Sequence, residues 1–214
     1  MTSKHVNENY IHICESAKVD VLKKICSISK MGFTKDEVIE IIEFYLFNAP
    51  VLKTDKMNNP FGLKSLKDYK WYGTKDMSAL EGKLLSAAGI SYFCFIKSNT
   101  IEGTLEGMDL GNKMCTDHPR AVIRQNVKVS SFEDGTTEIR QQETRMECLF
   151  RHLRNSIAHN LTYLFDNDNI LIEDRDDNGE ISARILAPKT ILLDWMTIVK
   201  SKQPESKELS VDDQ

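Results

Sequence analysis

The sequence predicts a mostly α-helical fold, a bundle of about five helices with a β-hairpin after the fourth. Three observations predict it. Two capping boxes, Thr34 with Glu37 and Ser78 with Glu81, each precede an apolar run and mark helix starts. Between Glu143 and about Phe165 the apolar residues Met146, Leu149, Phe150, Leu153, Ile157, Leu161 and Leu164 recur at steps of three and four. At about 100° per residue they fill an arc of roughly 120°, the stripe of a helix against a core. Beyond it, Asp176-Asp-Asn178-Gly179 between Ile170-Leu-Ile and Ile181-Ser-Ala-Arg-Ile reads as a hairpin turn.

The elements follow in order. Residues 9–30 carry an imperfect apolar stripe (Ile11, Cys14, Val19, Leu22, Ile25), and Gly32 stops that helix. Thr34 caps a second helix, which buries Val38, Ile41, Ile42, Tyr45 and Leu46 and ends before Pro50. Residues 50–77 interleave six lysines with Phe61, Tyr69, Trp71 and Tyr72, a pattern that suits single-stranded nucleic acid but also fits a loop whose rings pack on the core. Ala79 to about Lys97 is largely apolar and reads as a buried third helix. Gly103, Gly107, Gly111 and Pro119 make 98–120 a loop within a loop-rich insertion, 98–135. Residues 122–139 admit either a hairpin turning at Asp134-Gly135 or a helix start near Thr136. The motif helix occupies about 140–165, the hairpin 169–186 and a last helix 189–201. Residues 1–201 therefore form one domain, and the polar stretch 202–214 is a disordered tail.

Composition narrows the function. The chain has 214 residues, 41% hydrophobic, with a net charge of −4. That balance argues against coating nucleic acid by bulk charge, while leaving room for a local grip on a few phosphates. No apolar run reaches the length of a membrane span, and the polar start lacks a secretory h-region. Five cysteines, Cys14, Cys26, Cys94, Cys115 and Cys148, include no Cys-x-x-Cys pair, so they are expected as reduced, buried residues of a cytoplasmic protein. The acidic run from Asp166 to Asp177 lacks EF-hand spacing, and no metal or cofactor site is expected.

The chemistry concentrates in Arg151-His-Leu-Arg-Asn-Ser-Ile-Ala-His-Asn160. Arg151, His152, Asn155 and His159 lie opposite the apolar stripe, and Arg154 lies at its border. An imidazole moves protons near neutral pH, and a guanidinium holds a phosphate and offsets charge that builds on it. Together they suffice to cleave RNA without metal, the ribose 2′-OH attacking the adjacent phosphorus. Arg154 and His159 stand about 140° apart on one straight helix, so a second copy of the helix packed antiparallel would bring Arg and His together better than a single chain does.

Arg154-Asn155-Ser-Ile-Ala-His159 resembles the signature of the HEPN superfamily: Arg, four to six residues, then His, often with a polar residue directly after the Arg. The hairpin and the last apolar helix also resemble some bacterial members, so the similarity covers about residues 140–200. The resemblance implies a HEPN-like helical bundle and a homodimer through the motif helix. It further implies a metal-independent endoribonuclease that leaves a 2′,3′-cyclic phosphate, in a bacterial toxin or anti-phage setting. Arg154, Asn155 and His159 would be catalytic, with Arg151 and His152 as added phosphate contacts. RNA would be the substrate, with an antitoxin or regulatory protein as a further partner. The alternative is a catalytically inactive HEPN module that binds RNA, nucleotide or a partner protein. Members silenced by adenylylation carry a Tyr two residues after the His, and here that position is Leu161.

Overall fold

A computed structural model of the chain describes residues 18–21, 28–48, 75–97, 100–131, 137–141, 143 and 145–201. The Lys/aromatic stretch (apart from residues 75–77), most of the first expected helix and the tail lie outside them.

The helical bundle is not what forms. The fold is α/β, organised on a five-stranded mixed sheet. Its strands are β2 (Phe93–Ile96), β4 (Arg120–Arg124), β7 (Thr162–Leu164), β8 (Asn169–Arg175) and β9 (Ile181–Pro188), in the order β2-β4-β9-β8-β7. β2 runs parallel to β4, and the other neighbours are antiparallel. Two small pairs stand apart from it. β1 (Val19–Asp20) pairs with β3 (Lys113–Met114), and β5 (Val127–Ser131) pairs antiparallel with β6 (Thr137–Gln141), so of the two alternatives for 122–139 the strand pair forms and not a helix start near Thr136.

The helices are α1 (Lys35–Ile42), α2 (Lys75–Ala88), α3 (Glu102–Gly107), α4 (Arg145–Ala158) and α5 (Ile191–Lys200). α1 starts as expected: Thr34 Oγ1 accepts from the Glu37 amide, and the Glu37 carboxylate accepts from the Thr34 amide. It then widens into a π-helical turn, Glu43–Asn48.

Alternation along the strands splits the core into two layers. Ile170, Ile172, Ala183, Ile185 and Ala187 face a cluster built with α1, α2, α4 and α5. Leu171, Leu186, Val122 and Tyr163 face the opposite cluster, which includes Ile101 and Leu105 beside and within α3. A strand covered on both faces reads as a continuous apolar run, and such a run does not distinguish strand from buried helix. That is why Phe93-Cys-Phe-Ile96 looks like the tail of the third helix and why β4 looks like loop. Two buried bonds lock the helix layer. Trp195 Nε1 donates to the Leu84 carbonyl at 2.8 Å, and Tyr45 Oη donates to the Leu192 carbonyl at 2.8 Å.

The motif helix is also shorter than its stripe. Asn160 takes a left-handed conformation with φ of 56°, its amide donates to Ile157 and the Leu161 amide donates to Ser156. This is a Schellman stop, and Asn is the residue after Gly that tolerates it best. Leu164 then belongs to β7 rather than to the helix.

Cys94 and Cys148 are free thiols, and burial pushes both thiol pKa values up. Cys115 is disulfide-bonded, which corrects the expectation that all five cysteines are reduced. No helix among the described residues is long and apolar enough to cross a membrane.

Candidate functional site

α4 lies along β8, and its polar face meets the sheet where β8 ends and β9 begins. Asp174 is on the helix-facing side of β8, in line with Ile170 and Ile172. A β-bulge between Asp174 and Arg175 follows it, and Ser182 sits opposite the irregularity on β9. Bulges re-aim side chains, and here Asp174 and Ser182 point to the same place: Ser182 Oγ donates to Asp174 Oδ2 at 3.2 Å.

Two of the five motif residues, His152 and Asn155, bond that carboxylate, and a third, Arg151, forms an ion pair with it at 4.0 Å. His152 is buried, with Nδ1 2.6 Å from Asp174 Oδ2 and Nε2 2.8 Å from the Arg124 carbonyl. Asn155 Nδ2 donates to the same Asp174 oxygen at 3.3 Å. Arg151 forms a two-bond pair with the buried Glu143, at 2.8 and 2.7 Å, and its Nη2 also lies 3.0 Å from His152 Nε2. Glu143 in turn accepts from the Asn126 amide, and its carbonyl accepts from Gln125. The network therefore ties the first turns of α4 to β4, β8 and β9.

The electrostatics follow from burial. Burial lowers the His152 pKa, and the nearby Arg151 charge acts in the same direction, against the pull of Asp174. Both ring nitrogens are engaged within the protein, so His152 has no lone pair or proton to offer a substrate. Burial raises the Glu143 pKa, and its bonds from Arg151 outweigh that effect and hold it below the usual range. His152 and Arg151, expected as phosphate contacts, thus spend their polar groups on the scaffold of the helix. Asn155 spends an amide N–H on Asp174.

Arg154 and His159 sit elsewhere. Arg154 is half-buried on the side of α4 that meets the π-helical turn, where its Nε donates to the Leu46 carbonyl at 3.3 Å. Neither terminal nitrogen of that guanidinium bonds any of the described residues. His159 is exposed one residue past the helix, with its backbone amide bonded to Asn155 and its ring making no hydrogen bond or ion pair with the described residues. Of the three residues expected to be catalytic, Asn155 lines the cavity beside Asp174, and Arg154 and His159 do not.

Sequence reasoning missed Asp174, Ser182, Arg124 and Glu143. Asp174 was legible only as part of an acidic run, because the signal that separates it from its neighbours is strand parity. Among the described residues no group of three or more His, Cys, Asp or Glu is placed to hold a metal ion. No family model, curated protein or solved structure matches the chain.

Proposed function

We propose that the chain is a metal-independent endoribonuclease with HEPN-type chemistry, in which His159 moves protons and Arg154 stabilises charge on the scissile phosphate. One observation supports this reading. Of the five motif residues, Arg154 and His159 keep their reactive groups unspent, while Arg151, His152 and Asn155 are committed to the network around Asp174. The network has the character of a support: it fixes the helix and leaves at its surface the cation and the imidazole that transesterification needs. The divergence of the two groups favours a site completed by a second copy of α4. The resemblance of Arg154–His159 to the HEPN signature extends the reading to a toxin or anti-phage setting, with an antitoxin or regulatory protein as partner. The helical bundle that the resemblance also implies is not part of it. Disulfides are rare in reducing compartments, so the bridge at Cys115 weighs against the cytoplasmic setting expected from sequence.

The test is cleavage of total RNA by the purified chain in EDTA, with end mapping. Products with a 2′,3′-cyclic phosphate and a 5′-OH are expected, and a 2′-deoxy substitution at the cleaved position should block the reaction. Loss of cleavage in EDTA with recovery in Mg²⁺, or cutting of the deoxy substrate, overturns the reading. A second reading is a silent module that binds RNA, nucleotide or protein. It is favoured by the same network, since a helix so firmly tied down also suits a rigid binding face. Wild-type cleavage by both Arg154→Ala and His159→Ala excludes the nuclease reading in its favour.

A further inference from the structure

We propose, on the reading that Arg154 grips an RNA phosphate, that Phe47 is the platform on which the adjoining base of the substrate stacks.

The ring sits on a firmly held turn. α1 widens into the π-helical turn Glu43–Asn48, and Phe44 and Tyr45 of that turn are both buried. Their rings pack on Phe150 of α4, with centroids 6.0 and 6.2 Å from it, and Tyr45 Oη donates to the Leu192 carbonyl. Phe47, two positions on, is turned to solvent. It is 70% exposed, the most of any large hydrophobic side chain among the described residues. π-Helical turns are rare and are found frequently at functional sites.

The same turn meets Arg154. Its Nε donates at 3.3 Å to the Leu46 carbonyl, an oxygen of the peptide unit that joins Leu46 to Phe47. The guanidinium is thereby fixed within one residue of the exposed ring. Its two terminal nitrogens, which bond none of the described residues, form the edge that holds a phosphate by two hydrogen bonds. A polynucleotide alternates phosphates with flat bases, so a strand with a phosphate on Arg154 brings a base to Phe47. Every base has a π-face, and stacking on an aromatic ring holds an unpaired base without reading its identity. Glu43 is exposed four positions earlier on the turn. Its charge repels phosphate and so favours the register in which the base, rather than the backbone, covers the ring.

The test measures binding apart from chemistry. The probe is a short labelled single strand of mixed sequence with 2′-O-methyl groups throughout, which lacks the attacking hydroxyl. Fluorescence anisotropy with the full chain should give a Kd that rises about tenfold or more in Phe47→Ala. Phe47→Leu keeps bulk without the ring and should be nearly as weak, while Phe47→Trp should bind at least as tightly as the wild type. The same strand annealed to its complement has its bases already stacked, so its Kd should not depend on Phe47. Absence of saturable binding, an unchanged Kd in Phe47→Ala, full affinity in Phe47→Leu, or an equal loss with the duplex overturns the proposal. So does conversion of a dimer to a monomer by Phe47→Ala in light scattering, which would assign the ring to a contact between copies. Cleavage of unmodified RNA by the wild type is the parallel measurement. Cleavage with a Kd indifferent to Phe47 removes the platform and leaves the nuclease reading standing. Phe47-dependent binding without cleavage does the reverse.

Discussion

His159 and His152 stand seven residues apart on the same turns of chain and carry opposite chemistry. His159 is exposed and unengaged, so His159→Ala should fold normally and lose general acid–base help worth about 10²–10⁴-fold in cleavage rate. Arg154→Ala should cost a similar factor, and Arg154→Lys should rescue it only in part, because an ammonium lacks the planar fork. Single-turnover cleavage measures both. His152 gives a pH effect instead. Its folded-state pKa lies below the unfolded value, with burial as the chief cause. The unfolded chain therefore binds the proton first as pH falls, so stability is complete above about 6.5 and declines below it. The decline should be shallower in His152→Gln, compared by thermal unfolding between pH 5 and 7; equal slopes would remove His152 as the cause. The sequence placed both histidines on one polar face and did not separate them, because periodicity along a helix does not reveal what β8 places opposite it. Asp174 decides the matter, and it is twenty-two residues away in the chain.

At the scale of elements, the capping box of α1 and the β8–β9 hairpin were legible because their signals are local: a hydroxyl, a carboxylate three residues on, an Asn-Gly turn. The stop of α4 was equally local and was overridden by the continuing stripe through Leu161 and Leu164. Asn160 supplies that stop, so Asn160→Val should destabilise the chain by about 1–2 kcal/mol, since a β-branched residue resists the left-handed conformation. Asn160→Gly should be neutral or slightly stabilising. Denaturant midpoints distinguish the two outcomes, and equal losses in both variants would show that the turn is not what Asn160 serves. The sheet itself was not legible. β4 and β9 are buried on both faces, and β9 even buries Arg184, which bonds Glu173 at 2.8 Å and the Leu110 carbonyl at 2.7 Å. Arg184→Leu should cost about 3 kcal/mol by removing the fully buried one of the two arginines that compensate Glu173. The Arg175 bond to Glu173 keeps the loss at the lower end of that class.

The molecule as a whole sets a constraint that no single residue shows. α4 is clamped between the helix layer and the sheet: Leu149, Phe150 and Leu153 are buried on one side and His152 is held by Asp174 on the other. Arg154 and His159 are carried by this one helix and its stop, about 140° apart around the axis, so no movement of α4 as a body brings them together. If both act on one phosphate, the arginine of one copy meets the histidine of another. A two-fold pair would hold two such composite sites. Mixing the inactive Arg154→Ala and His159→Ala chains should then restore activity. Each mixed pair has one complete site and one empty one, so random exchange at equal amounts should recover about a quarter of wild-type cleavage. The double variant mixed with either parent should recover none, and light scattering should show a dimer at the concentration of the assay. Recovery absent under conditions where chains demonstrably exchange would mean that each site is built within one chain, and the last turn of α4 would then have to unwind to bring Arg154 and His159 together.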